Sequence, residues 1–173
     1  AGADVVNNTD TDSTTSETQT VSTFPDVSAS ASYAEAVKML SEAGIIQGDA
    51  NGRFNPEQTV TRAQAAAFLC RMLGIEETAK VKKSTKFSDV PQSYWASGYV
   101  AAIADQGVIS GYTDGSFKPN NPVSYREFLT MLLRCIGLTE DAEKLGGYPQ
   151  GYLALADQLG FTEGIHYSAT APA

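Results

Sequence analysis

Apolar residues in this chain recur at helical spacing in short blocks, and the blocks themselves recur. Tyr33, Val37 and Leu40 fall at i, i+4 and i+7, as do Ala96, Val100 and Ile103, and each set predicts an amphipathic helix. Further on, Phe68, Leu69, Met72 and Leu73 make a second apolar stripe, repeated by Met131, Leu132, Cys135 and Ile136. No stretch alternates for long at period two, so little or no sheet is expected. The polar positions agree. Thr61-Arg62-Ala63-Gln64 and Ser124-Tyr125-Arg126-Glu127 each open a second helix with a capping box. In that motif the hydroxyl accepts from the N3 amide while the Gln or Glu side chain reaches back. Gly44 and Gly107 stand where a left-handed residue ends the first helix, and Gly74 and Gly137 where the second ends.

These blocks superpose without a gap at an offset of 63 residues (Gly44 onto Gly107). Residues 44–75 read GIIQGDANGRFNPEQTVTRAQAAAFLCRMLGI; residues 107–138 read GVISGYTDGSFKPNNPVSYREFLTMLLRCIGL. Gly48 matches Gly111, Gly52 matches Gly115, Phe54 matches Phe117 and Pro56 matches Pro119, so the chain is built of repeats. One unit opens at Phe24-Pro25-Asp26-Val27 and the next at Phe87-Ser88-Asp89-Val90. Between each pair of helices lies a loop with a strong turn dipeptide, Asn51-Gly52 or Asp114-Gly115. Phe54 and Phe117 are expected to anchor those loops, and Pro56 and Pro119 to stop helix from spreading backwards.

A third unit starts and is not completed. Residues 151–164 (GYLALADQLGFTEG) match residues 98–111 (GYVAAIADQGVISG) at an offset of 53, which also sets Pro172 on Pro119. The predicted organisation is a disordered Ser/Thr/Asp-rich tether at 1–23, a first repeat at 24–75 and a charged linker at 76–86. A second repeat follows at 87–138, then an incomplete third at 139–173. Four full helices in two matched pairs are expected, with a fifth between about residues 148 and 159. The unfinished unit should leave an apolar face that a following segment or another copy of the chain would cover.

Composition narrows the function. A net charge of −8 argues against a nucleic-acid partner. No apolar run approaches the ~20 residues of a membrane helix, and no secretion signal is present. The chain opens AGADVV without an initiating Met, as a processed secreted protein or a trimmed one would. Cys70 matches Leu133 and Cys135 matches Met72, so the two cysteines are not equivalent. Both are expected to be free, buried thiols. The one histidine, His166, has no catalytic partner at a useful spacing, and no hydrolase elbow, phosphate loop or zinc motif occurs. Neither turn loop carries the carboxylates of a calcium-binding loop. No enzymatic activity and no cofactor are expected.

The elements F-x-D-V, G-I-I-x-G-x-x-x-G-x-F-x-P and V-T-R-A-Q on a capped helix resemble the S-layer homology domain. That resemblance covers nearly all of residues 24–164. It implies a mainly α fold, with tandem helix-loop-helix repeats forming a pseudo-threefold helical bundle. It also implies non-covalent anchoring of a secreted protein on the wall of a Gram-positive bacterium. The implied ligand is a secondary cell wall polysaccharide, often carrying an acidic pyruvylated sugar, bound in grooves between adjacent repeats.

Residue by residue, Arg62 matches the Arg of the family's T-R-A-E element, where its planar fork suits a carboxylate. The plainer alternative is a solvated first-turn residue. Trp95 is the aromatic expected after F-x-D-V and would stack on a sugar or pack partly into the core; repeat one has Ser32 there. Asp26 and Asp89 match the family's Asp, or cap the helix that follows. Gly48 and Gly111 allow close backbone approach to a ligand, or make the turn. Tyr125 replaces the Arg in repeat two, with Arg126 beside it. The rival reading is a structural helical repeat that makes protein contacts in a surface layer without binding glycan.

Overall fold

The capping boxes form as the sequence requires. Thr61 Oγ1 accepts from the Gln64 amide at 3.2 Å, and Gln64 Oε1 accepts from the Thr61 amide at 2.9 Å. Ser124 Oγ accepts from the Glu127 amide at 3.2 Å, and Glu127 Oε2 accepts from the Ser124 amide at 2.9 Å. The helices they open span residues 62–72 and 125–135. The computed structural model describes residues 24–82 and 84–165. The predicted tether at 1–23, His166 and Pro172 lie outside the described residues.

In chain order the described helices are α1 (Ala34–Glu42), α2 (Arg62–Met72), α3 (Glu76–Val81), α4 (Ser97–Asp105), α5 (Tyr125–Cys135), α6 (Thr139–Lys144) and α7 (Gln150–Gln158). Among the described residues the fold is mainly helical, with no strand and one isolated antiparallel bridge, Thr61 to Pro122. Around that bridge the Arg62 amide donates to Asn121 O (2.9 Å) and the Val123 amide to Val60 O (2.8 Å). The approach to α2 thus lies along the approach to α5.

Five of these helices are the expected ones. The other two are unexpected: α3 occupies the first half of the charged stretch 76–86, and α6 repeats it after α5. Each is six residues long, starts two residues after a left-handed glycine (Gly74 or Gly137) and buries one residue, Ala79 or Ala142. Those alanines meet glycines on the next helix. A Cβ on Gly98 would lie 1.9 Å from Ala79 O, and one on Gly151 would lie 2.1 Å from Ala142 O. Backbone therefore meets backbone, and α4 seats on α2 and α3 as α7 seats on α5 and α6. The matching position on α1 is Glu35, and α1 rests instead on its own cluster of Phe24, Val27, Ala34 and Val37.

Packing also shifts the predicted stripes. On α2 the buried apolar residues are Ala63, Ala65, Ala66, Ala67, Leu69 and Cys70, while Phe68, Met72 and the C-cap Leu73 are only partly buried. Small side chains let α2 be covered by α3, α4 and α5 together. On α5, Leu129, Met131 and Leu133 are buried, whereas Ile136 is exposed. Tyr33, expected on the buried face of α1, is 40% exposed.

Candidate functional site

Each turn loop is fastened by an aspartate from the start of its repeat. Asp26 accepts from the amides of Phe54 (2.9 Å) and Asn55 (2.7 Å), and Asp89 from those of Phe117 and Lys118 (2.7 Å each). Burial raises the Asp26 carboxyl, but the amides of Phe54 and Asn55 outweigh it and hold it below its ordinary value. Neither aspartate caps the helix that follows, since α1 and α4 have no side-chain cap. The loop phenylalanines then stack on the opening ones. Phe24 and Phe54 lie 5.6 Å apart, and Phe87 and Phe117 lie 5.2 Å apart. Gly48 and Gly111 make room for that stack: a Cβ on them would meet Phe24 Cε1 at 2.9 Å and Phe87 Cε1 at 2.4 Å.

The fastened loop of repeat two receives Arg62 from repeat one. Its Nε donates to Phe117 O at 2.8 Å, one Nη to Glu127 Oε1 at 2.9 Å and the other to Ser110 O at 3.3 Å. The guanidinium lies 4.8 Å from the Phe117 ring centre and 4.9 Å from that of Tyr112. Arg62 is only 4% exposed, which corrects the reading of a solvated first-turn side chain. It joins the repeats and still reaches the wall of a groove.

That groove, of about 270 Å³, lies between the repeat-two loop, α5 and the start of repeat three. Arg62, Ser110, Gly111, Tyr112, Arg134 and Tyr148 are among its lining. A second groove, of about 350 Å³, includes Gln47, Phe54, Gln64, Phe68, Arg71 and Trp95 in its lining. The two are copies of one frame. Arg71 and Arg134 are matched by the 63-residue offset, and Trp95 and Tyr148 by the 53-residue offset. Trp95 is 56% exposed, with the Tyr94 and Tyr99 rings 5.9 and 6.3 Å away. It is therefore a surface aromatic rather than a core one.

The arginines are held differently. Arg71 Nε donates to Glu76 Oε1 (3.0 Å), which also accepts from the Tyr99 hydroxyl (2.8 Å). Those bonds, Tyr99's foremost, hold the Glu76 carboxyl below its ordinary value. Arg134 Nε donates to the Tyr152 hydroxyl at 3.1 Å. Of the residues singled out from sequence, Arg62 and Gly111 line the first groove and Trp95 the second. Asp26, Asp89, Gly48 and Arg126 are not among the lining residues of either. Sequence reasoning missed Arg71, Arg134 and Tyr148, whose repetition at the two offsets was the available signal. Cys70 and Cys135 are free thiols, pushed up to about 12 and about 11 by burial. Among the described residues no group of three or more His, Cys, Asp and Glu is placed to hold a metal ion, and no helix is long and apolar enough to cross a membrane.

The family model for the S-layer homology domain matches residues 23–66 and 86–129, about half of the chain. A cell surface protein of Thermoanaerobacter kivui is 39% identical over 145 residues, covering 83% of this chain and 18% of the relative. A surface layer protein of Brevibacillus choshinensis is 32% identical over 137 residues, covering 79% and 12%. A cellulosome-anchoring protein of Acetivibrio thermocellus is 34% identical over 110 residues, covering 63% and 23%. The chain spans less than a quarter of the length of each.

Proposed function

The chain belongs to the S-layer homology domain family, and from that premise we propose that it fastens a secreted protein to the bacterial cell surface by holding wall polysaccharide in its two inter-repeat grooves. The observation that carries this reading is the repetition of one groove frame. In each copy an arginine (Arg71 or Arg134) lines the wall with an aromatic (Trp95 or Tyr148). An exposed aromatic face suits the apolar face of a sugar ring, and a guanidinium suits its hydroxyls or a carboxylate. Arg62, Gly111 and Trp95 are the expected residues that would touch the ligand. Asp26, Asp89 and Gly48 would act by fixing the loops.

Relatives named for surface layers and for anchoring support a structural, non-catalytic role at the cell surface. The wall of a Gram-positive bacterium and a polymer with an acidic, pyruvylated unit are the finer parts of the proposal. Co-sedimentation with purified walls tests it. Binding should be strong to intact walls and lost after acid stripping of their secondary polymers. Undiminished binding to stripped walls would favour protein–protein packing within a surface layer instead.

A further inference from the structure

We infer that the two grooves sort sugar units by charge, with the Arg62–Arg134 groove taking an acidic unit, the Trp95–Arg71 groove a neutral one, and Glu76 setting the difference. This rests on the glycan-binding reading above. Because the grooves share one frame, their differences can be compared position by position. In the Trp95 groove the guanidinium of Arg71 is bonded directly to a carboxylate, that of Glu76, at 3.0 Å. The Tyr99 hydroxyl braces the same carboxylate oxygen at 2.8 Å. The cation that lines this groove thus already has a carboxylate partner on its Nε.

Sixty-three residues on, the counterpart of Glu76 is Thr139. Arg134 accordingly bonds a neutral group, the Tyr152 hydroxyl at 3.1 Å, and that hydroxyl lies 3.4 Å from Glu143 Oε1. Among the described residues no carboxylate pairs directly with Arg134. The groove has a second guanidinium, Arg62, whose carboxylate partner is Glu127. This groove therefore holds two guanidinium groups with one directly bonded carboxylate, Glu143 reaching Arg134 only through the Tyr152 hydroxyl, whereas the other holds one guanidinium with a carboxylate bonded to it. The walls match this division. The Arg71 groove offers the larger, 56% exposed indole of Trp95, suited to the apolar face of an uncharged ring.

The test uses one preparation of purified wall polysaccharide in two forms, native and with its carboxyl groups reduced to alcohols by carbodiimide and borohydride. Each is titrated into the full chain while the Trp95 indole and Arg134 Nε signals are followed by NMR. The native polymer should shift both signals. Reduction should weaken the response at Arg134 about tenfold, as loss of a charge-assisted hydrogen bond implies, and change that at Trp95 less than about twofold. Glu76→Thr, which copies the sister groove, and Glu76→Gln should both make the Trp95 response depend on the carboxyl groups. Melting curves of both variants confirm that they are folded at the titration temperature. Equal sensitivity of the two grooves to reduction, or no gain of sensitivity in a folded Glu76 variant, overturns the sorting alone. If the native polymer shifts neither signal, the glycan-binding reading fails, and the sorting with it.

Discussion

Arg62 and Glu127, 65 residues apart in sequence, form an ion pair of 2.9 Å across the junction between the first two repeats. The side chains are 4% and 15% exposed. Glu127 uses its other oxygen to close the capping box of α5, so one carboxylate caps a helix and joins two repeats. Removing one partner of a buried pair leaves an uncompensated charge, at a cost of about 3–5 kcal/mol. Arg62→Ala should therefore destabilise the chain by roughly that amount in urea unfolding. Arg62→Lys should recover only part, since a point charge cannot serve Phe117 O, Ser110 O and Glu127 together. An Arg62→Ala chain that unfolds with the wild type would show that the pair is solvated.

Sequence made the local chemistry plain and the long-range chemistry opaque. Capping boxes, glycine stops and the 63-residue repeat are written in neighbouring residues, which suffice to place the main helices. They do not reveal the burial of Arg62, because Ser110, Phe117 and Glu127 are brought to it only by folding. The short helices α3 and α6 were hidden for another reason. Each is charged on most of its surface and buries a single alanine, which gives no periodic stripe. Their signal was on the far side of the contact, in Gly98 and Gly151, glycines at matched positions in the first turns of α4 and α7.

Those glycines give a second prediction. Gly98→Ala drives a methyl into Ala79 O and must push α3 away from α4, at about 1–3 kcal/mol. Gly44→Ala also substitutes a glycine, but its Cβ would meet nothing, and the cost is that of a left-handed alanine, about 1–2 kcal/mol. Hydrogen exchange separates them. Gly98→Ala should loosen amides throughout α3, whereas Gly44→Ala should disturb only the end of α1. Unchanged α3 exchange in Gly98→Ala would rule out the backbone contact.

Glu76 predicts a pH dependence. Hydrogen bonds from Tyr99 and then Arg71 favour its ionised form, so its folded value lies below the unfolded value of about 4.3. The stability it contributes is complete above that unfolded value and is lost as pH falls through the folded one. At pH 7 the wild type should melt above Glu76→Gln, and the gap should narrow as pH falls below the unfolded value of about 4.3. A gap that stays constant down to pH 3 would remove Glu76 from the stability of the α2–α4 junction.

The loop beside the first groove stores strain that Asp89 holds in place. Lys118 has φ +56°, a left-handed conformation that costs a non-glycine residue about 1–2 kcal/mol. Two bonds of 2.7 Å from the amides of Phe117 and Lys118 to the Asp89 carboxylate oppose it, each charge-assisted and worth about 1.5–3 kcal/mol. Repeat one meets the same geometry with Asn55, at φ +58°, which tolerates that region better than lysine. Asp89→Asn keeps the shape but turns an NH2 group towards one of the two donors, so it should cost about 1–3 kcal/mol. Lys118→Asn should recover part of that loss, because it lowers the strain the carboxylate was opposing, and the two changes should therefore be non-additive. The groove adds a second readout. Lys118 Nζ lies 4.1 Å from the centre of the Tyr112 ring, which the groove exposes beside Arg62. Asp89→Asn should thus weaken wall binding as well as stability, and Lys118→Asn should restore stability more than binding. Additive effects in thermal melts of the double mutant would mean that Asp89 and Lys118 act separately.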